Sequence, residues 1–446
     1  MESTWATNNE VHGQKPPAKC LYYCFPEPKC RGIFSADQGL LVVLIFRGRY
    51  TLPMSASRAF SFAAAAAVLI GAGAGARGAA RLFSSAQIAP LPGFQEALWW
   101  KPSCRGVQCG LCPFHCFLPE GIKGRCRARM NVGGRLVSLV YGRPVAVHVD
   151  PVEKKPVFHL LPGSGIYSVA TAGCNLSCLF CQNWEISQIN PERASEGVVV
   201  PRAVQGPSLV QDQTRMLSPD EIVEAAQRTG CRSVAYTYSE PVVAFEYVLD
   251  TARKARAAGL KNVLVSAGYI EPGPLAELAP WFDVVKIDLK GFDPRFYRRY
   301  VGGDRDAVLR TLLELKRLGV MTEVVNLVVP TLNDRDEDFT ALARWIRLNL
   351  GPDTPLFFSR FTPQYRLDNL PPTPVDTLER AWRIARSEGL HYVYLGNVPG
   401  HPAESTYCPT CGRVLVRRRG FAVLEMVITR DGKCPTCGTK IPGVWS

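Results

Sequence analysis

The chain has 446 residues, 47% of them hydrophobic and 20% charged, with a formal net charge of +13. That balance excludes a globally disordered chain and favours one large globular domain with smaller attachments. Part of the positive charge lies in an acid-free N-terminal stretch, so it argues only weakly for a nucleic-acid surface. Sixteen cysteines raise the question of disulfides, but most stand in C-x2-C or C-x3-C pairings, the pattern of metal or cluster ligation in a reducing compartment.

Residues 1–95 read as an extension. Cys20, Cys24 and Cys30 lack a second half of a metal site. A poorly ordered segment, or sequence upstream of the true start with Met54 as an alternative initiator, is expected. From Phe60 to Gly75 the chain is apolar and bounded by Arg58 and Arg77. This run is short for a bilayer span, which needs roughly 20 residues. Three readings of it stand open: a signal or membrane anchor, an organelle transit peptide, and a plain extension.

Residues 96–150 form a Cys-rich subdomain. Cys109, Cys112, Cys116 and Cys126 stand at C-x2-C-x3-C-x9-C spacing, with turns at Pro113 and Gly121. A compact four-ligand knuckle follows, holding zinc or an auxiliary cluster. The thiolates alone do not decide the metal, and reduced cysteines packing a small subdomain are the alternative. Cys104 and His115 are nearby spares. Arg135 to Gly142 and Pro144 to Val149 read as a short hairpin-like run leading into the core.

Residues 151–400 alternate strand and helix patterns. Strands are predicted at Ile166–Ala172, Ser233–Tyr238, Asn262–Ser266, Val284–Leu289, Thr322–Val329 and Pro355–Phe361. Helices are predicted at Pro219–Thr229, Val242–Ala258, Pro274–Leu278, Arg305–Leu318, Glu337–Asn349 and Val375–Gly389. Ser218-Pro-Asp-Glu221 is a capped helix start, and Gly259 and Gly319 are helix stops. The alternation argues for parallel strands with crossover helices, and six units suit an open (βα)6 barrel. The long polar loop from Asn190 to Met216 reads as a lid or partner surface.

The first strand runs into Cys174-Asn-Leu-Ser-Cys178-Leu-Phe-Cys181. Three thiolates at C-x3-C-x2-C spacing can grip three irons of a cubane and leave the fourth open. A structural zinc wants four protein ligands; three buried or zinc-binding cysteines are the alternative. With Phe180 before the third cysteine, this loop resembles that of radical S-adenosylmethionine (SAM) enzymes. His148-Val-Asp-Pro-Val-Glu-Lys-Lys-Pro156, Cys181-Gln-Asn-Trp-Glu-Ile-Ser187, Tyr236-Thr-Tyr-Ser-Glu-Pro241 and Gly396-Asn-Val-Pro-Gly400 are similar to the radical SAM member of the AmmeMemoRadiSam system, a relative of glycyl-radical activating enzymes. The resemblance runs from about Cys109 to the C-terminus.

This resemblance implies a [4Fe–4S] cluster on Cys174, Cys178 and Cys181, with SAM chelating its open iron. Reductive cleavage of SAM would give a 5′-deoxyadenosyl radical that abstracts hydrogen from an unidentified substrate. Glu240 stands where the superfamily carries a Gly-Gly-Glu segment that meets the SAM amino group, although Tyr238 and Ser239 replace the glycines. Ser266 ends the third strand. Asp288 and Lys290 are similar to the Asp-x-Lys of activating enzymes, the carboxylate taking ribose hydroxyls or a cation and the lysine facing the SAM carboxylate. Asn326, Arg360 and Trp184 are further candidates. The resemblance implies Memo-type and AMMECR-type partners, and an electron donor such as flavodoxin or ferredoxin. A cytoplasmic or equivalent reducing compartment is expected.

Residues 401–446 carry Cys408-Pro-Thr-Cys411-Gly and Cys434-Pro-Thr-Cys437-Gly, a four-thiolate signature between which Val414–Leu415 and Phe421–Ile428 read as strands. Zinc is expected, with rubredoxin-like iron as the alternative. Arg417-Arg-Arg419 reads as a solvated tip or a contact for an acidic partner. No phosphate-binding G-x-x-x-x-G-K-[ST] loop is present, so direct use of ATP is not supported. The whole chain reads as an α/β radical SAM enzyme with a partial TIM-like barrel, a Cys-rich subdomain and a zinc-ribbon-like module. The alternatives are a glycyl-radical activase and a non-enzymatic multi-zinc scaffold binding nucleic acid.

Overall fold

Pairing of apolar strand runs through crossover helices decides the architecture. The computed structural model describes residues 94–194 and 216–446. The apolar run 60–75, Cys20, Cys24, Cys30, Met54 and most of the loop between Asn190 and Met216 lie outside the described residues. Among the described residues no helix is long and apolar enough to cross a membrane.

Eight strands form the central sheet: β1 (Pro144–Pro151), β2 (Gly165–Thr171), β3 (Ser233–Tyr236), β4 (Lys261–Ser266), β5 (Val284–Asp288), β6 (Met321–Val328), β7 (Leu356–Arg360) and β8 (Val393–Gly396). Each strand pairs with its neighbour in sequence. From β2 to β8 the pairing is parallel. Helices α1 (Pro219–Arg228), α2 (Phe245–Ala257), α3 (Pro272–Leu278), α4 (Arg305–Arg317), α5 (Asp336–Asn349) and α6 (Val375–Ser387) make the crossovers. The parallel strands are buried on both faces, which is why they read as near-continuous apolar runs; all of β3 is buried. Ser218 Oγ accepts from the Glu221 amide at 3.3 Å while the Glu221 carboxylate accepts from the Ser218 amide at 2.8 Å, closing a capping box on α1. Gly259 and Gly319 take φ of +79° and +71° behind α2 and α4, as helix stops do.

Two expectations need correction. The sheet exceeds six strands, because β8 extends one edge and β1 the other. The predicted hairpin does not form. Pro144–Pro151 pairs antiparallel with β2, whereas Arg135–Ser138 pairs with Arg129–Val132 and Gln95–Glu96 in a separate small sheet. The β2 edge offers Pro144–Pro151 a long apolar partner, and that longer pairing wins over the local one.

The C-terminal residues add a three-stranded antiparallel sheet, Thr406–Tyr407, Val414–Arg419 and Ala422–Met426. Leu415, Val416, Ile428, Ile441 and Trp445 share a core with Phe158, Phe357, Tyr392 and Tyr394 of the main body. Arg418 is no solvated tip: its side chain is 0% exposed. Its guanidinium donates to Phe158 O and Thr406 Oγ1, each at 2.8 Å, and lies 3.5 Å from Glu153. Buried charges persist where such partners satisfy them. Arg417, by contrast, is exposed and pairs with Glu425.

Candidate active site

The C-terminal ends of parallel strands project loops to one edge of the sheet, and the polar side chains gather there. The loop after β2 carries Cys174, Cys178 and Cys181. Its backbone is pinned from outside: the Ser177 and Leu179 amides donate to Val301 O and Tyr300 O at 3.0 and 2.9 Å. Those carbonyls lie in a π-helical turn, Tyr297–Val301, a form frequent beside functional sites. Gly302 and Gly303 follow it, and a Cβ on either would meet Ser177 Oγ at 2.2 Å or Leu176 Cδ2 at 2.6 Å. Leu176 N–H donates to Cys174 Sγ at 3.4 Å, and Cys181 Sγ stands 3.2 Å from Ser187 Oγ. Burial pushes the Cys178 thiol up to about 12 and the Cys174 thiol well above its ordinary value.

Glu240 follows β3 and is buried. Its carboxylate accepts from Ser266 Oγ–H at 2.7 Å and from the Ala267 amide at 2.8 Å. Burial raises its pKa, and these donors pull it partly back. Ser266 therefore serves Glu240, and its oxygen also accepts from the Gly268 amide at 2.9 Å. Asp288, at the end of β5, lies between two ammonium groups, Lys286 and Lys290, the latter at 2.7 Å. Burial alone would raise the Asp288 pKa, but the two lysines hold it well below the carboxylate range. Burial opposes the Lys290 charge, yet Asp288 and the Cys178 sulfur hold its pKa above the usual value.

Tyr238 adopts φ +66°, a glycine-like conformation that costs a bulky residue of order 1–3 kcal/mol. Tyr238, where the resemblance implied a glycine of the superfamily's segment, thus takes a glycine-like backbone shape without being glycine. Tyr238 Oη donates to Asp150, Lys155 Nζ lies 3.0 Å from the same oxygen, and Asn183 Nδ2 donates to Tyr238 O at 2.8 Å. Asp150 also receives Ser168 Oγ–H at 2.7 Å and Lys154 at 3.0 Å. Burial pushes the Lys155 pKa down to about 8 against the pull of Asp150.

These residues line one cavity of about 350 Å³: Cys174, Cys178, Cys181, Glu240, Ser266, Asp288 and Lys290 are all on its wall. Lys154, Lys155 and Lys286 join them and were missed. Lys286 had a signal, since alternation along Lys-Ile-Asp-Leu-Lys puts residues 286, 288 and 290 on one face. Three candidates are elsewhere. Asn326 donates to Leu289 O at 2.9 Å and Arg360 to Thr373 O at 2.8 Å, both backbone ties. Trp184 stacks on Tyr365 with centroids 5.3 Å apart.

Among the described residues, Cys408, Cys411, Cys434 and Cys437 are the one group of three or more potential ligands whose donor atoms all lie within 4.8 Å of one another, the size of a single-ion site. The Cys174 loop is not so closed, which suits a polynuclear cluster spread across three sulfurs.

The model of the radical SAM superfamily matches residues 168–346. The chain is 43% identical over 349 residues to an uncharacterized protein of Methanocaldococcus jannaschii, covering 78% of this chain and 98% of that one. It is 24% identical over 192 residues to the pyruvate formate-lyase-activating enzyme of Clostridium pasteurianum, 42% of this chain and 72% of that one. A solved radical SAM methyltransferase from Sphaerobacter thermophilus is similar over 52% of this chain and 66% of that one, at 16% identity and a TM-score of 0.40. The family match sets aside the non-enzymatic scaffold. Since the family model takes in the cysteine loop with Glu240, Ser266, Asp288 and Lys290, and the Methanocaldococcus relative is covered over nearly its whole length, the chain belongs to the radical SAM superfamily of enzymes.

Proposed function

We propose that this chain cleaves SAM reductively in the cavity, as the radical SAM member of an AmmeMemoRadiSam system. The observation that carries the reading is the meeting of the three loop thiols with Glu240, Asp288 and Lys290 on one wall. A [4Fe–4S] cluster, when held there and reduced by an external donor, would supply the electron for reductive cleavage of SAM to methionine and a 5′-deoxyadenosyl radical. Cys174, Cys178 and Cys181 would hold it. Glu240 takes the SAM ammonium, Lys290 the carboxylate, and Asp288 orients Lys290 or meets ribose hydroxyls. The strand-end walls position SAM and exclude water. The sheet is read as a partial TIM-like barrel, and the C-terminal tetrad, with sulfur pairs 3.5 and 3.6 Å apart, as a zinc ribbon. Memo-type and AMMECR-type partners, a flavodoxin or ferredoxin donor and a reducing compartment complete the reading.

Anaerobic incubation of the reconstituted chain with SAM and dithionite should yield 5′-deoxyadenosine and methionine, and Cys178→Ala should yield neither. No 5′-deoxyadenosine from a fully loaded, reduced cluster would refute the reading. Asp288-Leu-Lys290 and the likeness to an activating enzyme favour a second reading, a glycyl-radical activase. It requires a glycyl radical signal on a protein substrate.

A further inference from the structure

Four cysteines outside the cavity converge without forming a disulfide. Cys109 ends the strand Gly106–Cys109, and its amide donates to Cys116 O at 3.0 Å. Cys112 lies in the turn between them. Cys126 lies on a turn closed by Arg127 N–H to Gly124 O at 2.8 Å. All four line one small cavity together with Arg129 and Asn175. Arg129 is buried, and its Nη1 stands 3.7 Å from Cys109 Sγ while its Nη2 pairs with Glu246. A guanidinium against sulfur suits a thiolate more than a thiol.

The spacing of the sulfurs separates the possible occupants. A lone zinc draws four sulfurs to about 2.3 Å from its centre, so the sulfurs nearly touch, as they do in the C-terminal tetrad. No three of the N-terminal cysteines reach that closeness, since among the described residues only the C-terminal group does. In this they match the Cys174 loop. An iron–sulfur core interposes its own irons and sulfides and holds its ligand sulfurs farther apart.

The two cysteine sets also adjoin. Asn175 lines the N-terminal cavity while its neighbour Cys174 lines the SAM cavity. A Cβ on Gly173, which has φ +98°, would meet Cys126 O at 2.6 Å, so glycine lets the two loops touch. We propose that Cys109, Cys112, Cys116 and Cys126 hold a second iron–sulfur cluster, fully ligated by thiolates and sharing the Cys174 loop as one of its walls. It does not depend on which substrate the SAM cavity serves.

The test is metal analysis of the full chain, reconstituted anaerobically with iron and sulfide. The variant Cys174→Ala/Cys178→Ala/Cys181→Ala should keep about half of the wild-type iron and sulfide, about four of each per chain. Its reduced electron paramagnetic resonance signal should be unchanged by SAM. Cys112→Ala/Cys116→Ala should lose the other half and keep the SAM-sensitive signal. A colourless triple variant with no iron, whether zinc fills the site or nothing does, would overturn the proposal. Where the triple variant does not fold, iron and sulfide analysis of the wild type decides: about eight of each per chain supports the second cluster, and about four of each refutes it. Failure of SAM cleavage alone leaves these readouts intact, so the two proposals fail separately.

Discussion

Glu240 has both carboxylate oxygens occupied by Ser266, Ala267 and Val242, so its orientation is set by the protein and only its charge remains to be used. Glu240→Gln keeps the size and one acceptor oxygen but loses that charge. The cluster should load fully while SAM binding weakens by about 1–3 kcal/mol, as for a buried charge left underpaired. Anaerobic equilibrium dialysis with labelled SAM reads this, and unaltered affinity would remove Glu240 from the site. Glu240, Asp288 and Lys290 were legible because the hydrophobic pattern marks strand ends and the resemblance to activating enzymes singled out these three among them. The Asp150, Lys155 and Tyr238 network was not. It joins residues of β1, the turn after it and the β3 loop, and nothing in local spacing reports that those segments meet. The strain at Tyr238 was likewise hidden, since the sequence signals glycine-like backbone only where glycine is present.

At the level of elements, the π-helical turn and the two glycines behind it hold the cysteine loop in place. Gly302→Ala sets a methyl group against Ser177 Oγ and forces φ +77° on a residue with a side chain. Iron loading should fall while the circular dichroism spectrum stays that of the folded chain. Ser177→Ala in the same chain should recover part of the loss by removing the obstructing oxygen. No drop in iron would show that this turn does not position the loop. The C-terminal element offers a paired test. With the zinc proposed for the tetrad, Cys411→Ser should lower both metal content and thermal stability. Arg418→Met should keep the metal but lose about 3–5 kcal/mol, because Glu153 is left buried without its cation. Equal stability of Arg418→Met and the parent in urea would mean that Arg418 does not dock this module. The four-cysteine group itself was legible from its two C-P-x-C-G knuckles. Its docking was not, because Arg418 differs from its exposed neighbours only in which face of the strand it occupies.

The whole molecule carries two opposed buried titrations at the contact between its main sheet and its C-terminal core. Burial pushes His159 down to about 4, where it meets Pro442 O at 2.6 Å and Tyr394 Oη at 2.7 Å. Burial pushes Glu323 up to about 7, although it accepts from the Phe158 and His159 amides. Below the ordinary histidine value the unfolded chain takes a proton that folded His159 refuses, so stability is lost as pH falls from about 6.5 to about 4. Folded Glu323 takes its proton before the unfolded chain does, so stability is gained as pH falls from about 7 to about 4.5. The two slopes offset. Glu323→Gln removes the gain, so relative to the parent it should lose roughly 3 kcal/mol across that window. Urea midpoints of both chains at matched pH values give the difference, and parallel curves would contradict the assignment.

The placement of the cysteines also sets an order in time. Each set closes over a short stretch of chain, within residues 109–126 and 174–181 and as two knuckles at 408–411 and 434–437. Such local closure is fast. Glu240, Ser266 and Lys290 reach the cavity only after parallel strands pair across their crossover helices, the slow and non-local part of folding. On the proposed cluster assignments, a chain still emerging from the ribosome would therefore grip iron at its first two cysteine sets before it has walls around them. Its vulnerability to oxygen is greatest then, in the interval between chelation and closure of the sheet.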